Sequence, residues 1–98
     1  MAQFTVHIAY IECEIHVPYA QSLKDKRQVV RALKDLLRNR FNVAIAEIGF
    51  LNDWQRVALG MSMLSSDKSA LAKSLSHVEQ TILERLDGEL VRFDVEWL

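Results

Sequence analysis

Twice along this chain an apolar alternation of period two gives way to an apolar spacing of three and four, and then returns. That succession leaves few folds open. The first alternation puts Ala9, Ile11, Cys13, Ile15 and Val17 in one phase and Glu12, Glu14 and His16 in the other, a strand with one wet face closed by Pro18. Val6, Ile8 and Tyr10 make the second phase apolar near its start, which predicts cover on both sides there. Ser22-Leu23-Lys24-Asp25 is a helix start, because the Ser22 hydroxyl can accept from the Asp25 amide while the carboxylate favours the positive end of the dipole. From there to about Asn39, residues Leu23, Val29, Val30, Leu33, Leu36 and Leu37 fall on one broad arc, the face to be laid on a sheet.

Two strands follow, Phe41 to about Gly49 and Trp54 to about Leu64, joined by Phe50-Leu51-Asn52-Asp53. Read as a hairpin, this connection sets Glu47 opposite Arg56, Ile45 opposite Ala58 and Val43 opposite Gly60, with Ala46 facing Val57 and Ala44 facing Leu59 on the inner side. Ser65-Ser66-Asp67 is a second cap signal, after which Leu71, Leu75, Val78, Ile82 and Leu86 keep helical spacing as far as Asp87-Gly88. A last strand alternates Val91, Phe93, Val95 and Trp97 against Arg92, Asp94 and Glu96. Two β-α-β units joined by a hairpin specify a ferredoxin-like βαββαβ sandwich of the α/β (α+β) class, a four-stranded antiparallel sheet with two helices on one face. Its 98 residues are one domain's worth and show no internal boundary, so one domain is expected over residues 1–98.

Charge is where the chain is unusual. Its net charge is only −1, yet Ser22 to Arg40 holds Lys24, Lys26, Arg27, Arg31, Lys34, Arg38 and Arg40 against Asp25 and Asp35, a balance of +5 that leaves −6 for the remainder. Lys24, Arg27, Arg31, Lys34 and Arg38 are spaced 3, 4, 3 and 4 apart, within an arc of about 80° facing away from the apolar side. Exposed helices usually mix signs, whereas this stripe repels itself, and Lys24, Lys26 and Arg27 crowd the turn where the dipole disfavours cations. Lys26 also sits inside the apolar arc, to be explained by snorkelling along the sheet edge, by a buried ion pair or by an anion contact. A solvated face neutralised by Asp35 and neighbouring acids competes with phosphate recognition as the meaning of the stripe.

The blocks Ser22-Leu23-Lys24-Asp25-Lys26-Arg27, Arg40-Phe41-Asn42-Val43 with Ala46-Glu47 and Gly49, and Asp53-Trp54-Gln55-Arg56 with Leu59-Gly60 resemble the signature blocks of the YlxP-like family of small bacterial proteins. The resemblance spans almost the whole chain and departs at Phe50-Leu51, where the family tends to be polar. It implies a ferredoxin-like fold and a bacterial cytosolic protein. Members often encoded beside translation initiation factor 2 and ribosome-binding factor A connect it, by association, with translation or ribosome assembly.

No catalytic constellation emerges. The glycines are Gly49, Gly60 and Gly88, which make no phosphate loop or dinucleotide fingerprint, so no cofactor is expected. Glu12, Glu14 and His16 are metal-ligand types, but same-face neighbours on a strand stand nearly 7 Å apart, and pairing with Arg92 or Arg56 accounts for them better than a metal. Cys13 points inward by phase and is expected in the core. With a single cysteine, no secretory leader pattern at Met1 and no apolar run of about 18 residues, a cytoplasmic protein without a membrane partner is expected.

Two functions lead, with a small enzyme a distant third. The first is a non-catalytic module that binds ribosomal RNA or the ribosome through Lys24, Lys26, Arg27, Arg31, Lys34 and Arg38. The second is a homodimeric structural or small-ligand-sensing module that uses an open-face patch of Val43, Ile45, Ala58 and Gly60.

Overall fold

A computed structural model describes residues 3–98. The elements follow the expected order, β1 (His7–His16), α1 (Leu23–Arg40), β2 (Ala44–Gly49), β3 (Arg56–Ser65), α2 (Lys68–Arg85) and β4 (Glu89–Trp97). Their antiparallel sheet runs β2-β3-β1-β4, so β1 is central and β2 and β4 are edges. This is the βαββαβ ferredoxin-like architecture.

The caps form as their chemistry requires. Ser22 Oγ accepts from the Asp25 amide at 3.1 Å while Asp25 Oδ2 accepts from the Gln21 amide at 3.0 Å, a reciprocal pair that satisfies two donors at the start of α1. Asp67 Oδ1 accepts from the amides of Ser69 and Ala70 and starts α2. Val30, Leu33 and Leu37 of α1 and Leu71, Leu75, Val78 and Ile82 of α2 are buried against Ala9, Ile11, Cys13 and Ile15 of β1 and Val57, Leu59, Met61 and Met63 of β3. Each fully buried large aliphatic side chain contributes about 1.5–3 kcal/mol, so this layer carries the fold. Beyond the helices the cover ends. Val6 is exposed and Tyr10 half-buried, so the start of β1 is not enclosed on both sides as its apolar residues predict.

Gly88 makes the close return to β4 possible. Its φ is +157°, and a Cβ there would meet the carbonyl oxygen of His16 at 2.6 Å. β4 then pairs with β1 through a bulge beside Val91, where the ladder moves from Arg92 opposite Glu14 to Leu90 opposite Ile15. Val91 is thereby exposed, whereas its expected phase-mates Phe93, Val95 and Trp97 keep the side of Cys13, Ile11 and Ala9.

The β2–β3 register differs from the expected one. Glu47 lies opposite Leu59, not Arg56, and Ile45 lies opposite Met61, not Ala58. A displacement of three is odd, so every side chain of β2 changes face. Two local causes act together. A bulge interrupts the ladder between Glu47 and Gly49, and the connection takes six residues because Asp53 Oδ1 accepts from the amides of both Gln55 and Arg56, which holds Trp54 and Gln55 out of the strand. Ile45 is consequently buried on the helix side, Val43 packs on the core, and Ala44, Ala46 and Ile48 face outward. The chain thus buries an isoleucine where the expected register would have buried two alanines.

Candidate nucleic-acid interface

All five stripe residues lie on the surface of α1, and of the six expected contacts only Lys26 is removed. Lys24, Arg27, Arg31 and Arg38 are exposed and Lys34 is half-buried. The face does not point straight away from the sheet, because Arg27, Arg31, Lys34 and Arg38 share with Glu47 of β2 a groove of about 390 Å³ between α1 and the β2 edge. Arg38 reaches across this groove, and its Nη2 donates to the carbonyl of Ile45 at 3.1 Å. None of the ion pairs among the described residues involves the five stripe cations. Asp35 lines the same groove without forming an ion pair to any of them, and Asp25 is engaged in the cap.

Lys26 is not part of that surface. It is 1% exposed, and its Nζ donates to the carbonyls of Phe50 at 2.8 Å and Arg56 at 3.2 Å while lying 3.2 Å from Glu47 Oε2. That carboxylate oxygen is buried and accepts no aligned hydrogen bond, so its attraction to the ammonium is coulombic. Of the three explanations for a lysine in an apolar arc, the buried ion pair replaces snorkelling and the anion contact, and Lys26 cannot touch a phosphate.

Around Lys26 the turn segments converge. Phe50 adopts a φ of 57°, and its carbonyl accepts both from Lys26 and from the Asp53 amide at 3.0 Å. The Arg56 guanidinium lies 3.8 Å from the centroid of the Phe50 ring. Gln55 Nε2 donates to the carbonyls of Pro18 and Ala20, and its own carbonyl accepts from the Val17 amide at 2.7 Å. The Gln55 and Arg56 amides hold the Asp53 carboxyl below the ordinary carboxylate range. Tyr19 and Trp54 are left on the outside of this corner, 84% and 53% exposed. Sequence reasoning missed them as a surface pair, since Trp54 reads as the first residue of a strand and Tyr19 belongs to no periodic pattern. The signal that was available is chemical: a Pro-Tyr turn and an Asp-Trp-Gln turn carry large rings outside any apolar phase.

The open sheet face divides in two. On the β1/β4 half, Glu12 and Glu14 are paired with Arg92, Glu14 also with Arg56 at 3.0 Å, Asp94 with Arg92, and His16 with Glu89. Arg92 and then the Tyr10 hydroxyl hold the Glu12 carboxyl below its usual range; donating to Glu12 raises Tyr10, and Asp94 with Glu12 holds Arg92 more firmly charged. The strand carboxylates are therefore consumed by arginines, and no group of three or more metal-ligand residues placed to hold an ion occurs among the described residues.

On the β2/β3 half the expected patch does not exist as drawn. Ile45 and Val43 face the core, and Gly60 is covered, since a Cβ there would meet Ile48 Cγ2 at 3.1 Å and Tyr10 Oη at 3.2 Å. Ala58 alone remains partly open. Cys13 is fully buried, and burial pushes its thiol up to about 11, which removes it as a nucleophile at neutral pH. No helix of the described residues is long and apolar enough to cross a membrane.

Comparison with known proteins matches residues 8–95 to the family described as protein of unknown function (DUF503). A relative in Bacillus subtilis (strain 168), "Uncharacterized protein YlxP", is 39% identical over 71 residues, which span 72% of this chain and 77% of that protein. Among solved structures, the "De novo designed protein Ferredog-Diesel" superposes with a TM-score of 0.49 at 15% identity, covering 98% of this chain and 88% of that one.

Proposed function

Since the chain belongs to the DUF503 family, whose description assigns no activity, we propose from its surface that it is a non-catalytic RNA- or ribosome-binding module acting through the basic face of α1. One observation carries this reading. Lys24, Arg27, Arg31, Lys34 and Arg38 form a row of like charges at helical spacing that makes no ion pair among the described residues, while the strand carboxylates pair with Arg56, Arg92 and Lys26 instead. A chain of near-zero net charge has the acids to neutralise such a row, and this one spends them elsewhere. Self-repulsion along a helix destabilises it in isolation and is relieved when phosphates arrive and condensed counterions are released.

If all five cations meet phosphates, the logarithm of affinity for single-stranded RNA falls with log salt at a slope of about −3.5, from about 0.7 per contact. Reversing Arg27, Arg31 and Lys34 to Glu abolishes binding and leaves the fold intact, because these side chains lie outside the core. Reversing acids of the open face leaves binding unchanged. The assay is fluorescence anisotropy with labelled RNA, supported by co-sedimentation with ribosomal subunits at low and high salt. No association at low salt, where electrostatic affinity is greatest, would make the stripe a solvated face and end this reading. The homo-oligomeric alternative has lost Val43, Ile45 and Gly60 from its interface and is not carried further.

A further inference from the structure

Two exposed rings stand at the start of the stripe. Trp97 lies beneath Lys68, 5.0 Å from ring centroid to ammonium, and Phe50 beneath Arg56, but neither Trp54 nor Tyr19 is covered by a cation among the described residues. Both stand on rigid turns. The Gln55 amide holds the carbonyls on either side of Tyr19, at 3.0 and 3.1 Å, and Asp53 Oδ1 holds the amides that follow Trp54, at 2.8 and 3.0 Å. Lys26 then ties this corner to the first turns of α1 through Phe50 and Arg56. The rings are thus fixed at the end of α1 where Lys24 and Arg27 begin a stripe about 21 Å long, from 1.5 Å per residue.

Large rings held open to solvent beside a row of uncompensated cations match the two requirements of single-stranded nucleic acid, a surface for base faces and a track for phosphates. A duplex offers the phosphates but hides the base faces, and an apolar protein partner has no use for the track. We propose that Trp54 and Tyr19 form a base-stacking platform for single-stranded RNA, whose backbone continues along Arg27, Arg31, Lys34 and Arg38. This rests on the RNA-binding reading of α1 and adds a strand state and an entry point.

The test uses the full chain with Trp97→Phe, so that Trp54 is its sole tryptophan, and two probes: a 12-nucleotide oligouridylate and an RNA duplex of equal length. The single strand should quench Trp54 emission saturably and bind more tightly than the duplex. Trp54→Ala should weaken single-strand binding about 5- to 150-fold, as loss of one stacked base does, without changing the salt slope, whereas Trp54→Phe should retain most of the affinity. Should Trp54→Ala disturb the turn, the quenching and the Trp54→Phe comparison still decide. Binding with the expected salt slope but no quenching, and no loss in Trp54→Ala, overturns the platform and leaves the helix reading standing. Tighter binding of the duplex overturns it equally. No binding of either probe at low salt overturns both.

Discussion

Replacing Lys26 by Met keeps the length and packing of the side chain and removes only the ammonium. The structure says what is then stranded. Glu47, one-fifth exposed, loses the cation 3.2 Å from Oε2, and the Arg56 carbonyl loses its Lys26 donor; the Phe50 carbonyl keeps the Asp53 amide. Breaking a buried pair by removing one partner costs about 3–5 kcal/mol, and partial hydration of Glu47 places it near the lower end, about 3 kcal/mol. An orphaned carbonyl adds about 1 kcal/mol. At a urea slope of about 2 kcal/mol per molar, the combined loss of about 4 kcal/mol lowers the unfolding midpoint by about 2 M. Circular dichroism followed through a urea titration reads this directly. Lys26→Met with Glu47→Leu removes both charges, and it should recover all but about 1 kcal/mol, because an apolar pair of similar volume replaces a buried ion pair at little cost. A Lys26→Met midpoint within 0.3 M of wild type, about 0.6 kcal/mol at that slope, would refute the assignment of Lys26 as the bolt of the turn corner. So would a double variant no more stable than the single one.

Three further outcomes follow from particular contacts. Gly88→Ala places a methyl 2.6 Å from the His16 carbonyl in a backbone region that disfavours side chains, and should cost about 1–3 kcal/mol by thermal or urea unfolding. Ile45→Glu should unfold the domain in circular dichroism, where an interface residue would merely alter oligomeric state in light scattering, because it buries a charge opposite Met61. Cys13 holds its proton more tightly folded than unfolded; its contribution is therefore complete below the ordinary value of 9.0 and is lost as pH rises from there through about 11. Native protein at pH 8 should resist an aromatic disulfide reagent until it unfolds, and Cys13→Val should flatten the alkaline decline in stability.

What could be read in advance was what depends on one element at a time. The Ser22 cap, the arc of Val30, Leu33 and Leu37, the inward phase of Cys13 and the pairing of Glu12 and Glu14 with arginines all follow from local spacing and chemistry. The face of β2 did not. It turns on the single extra residue of the bulge between Glu47 and Gly49, next to a connection lengthened by Asp53 bonding two amides and Gln55 bonding two carbonyls some 35 residues away in the chain. Neither bond has a periodicity. One odd shift then moved Ile45 from a presumed interface into the core and brought Glu47 to Lys26. The charged stripe was legible because it lies on one helix, while its aromatic companions come from two different turns and needed tertiary structure to meet.

An exposed sheet edge invites further strands, and β2 is such an edge. Here the Ile45 carbonyl is occupied by Arg38, and Arg27, Arg31 and Lys34 line the groove beside it. A second copy approaching edge to edge would bring an identical row of charges into opposition with the first. At the opposite edge, β4 carries the extra residue at Val91 that twists its ladder out of line. The fold therefore resists growing into filaments at both margins, on one side by charge and on the other by geometry. Diluting the charge at Arg38 and Lys34 is the change that should first make concentrated protein aggregate.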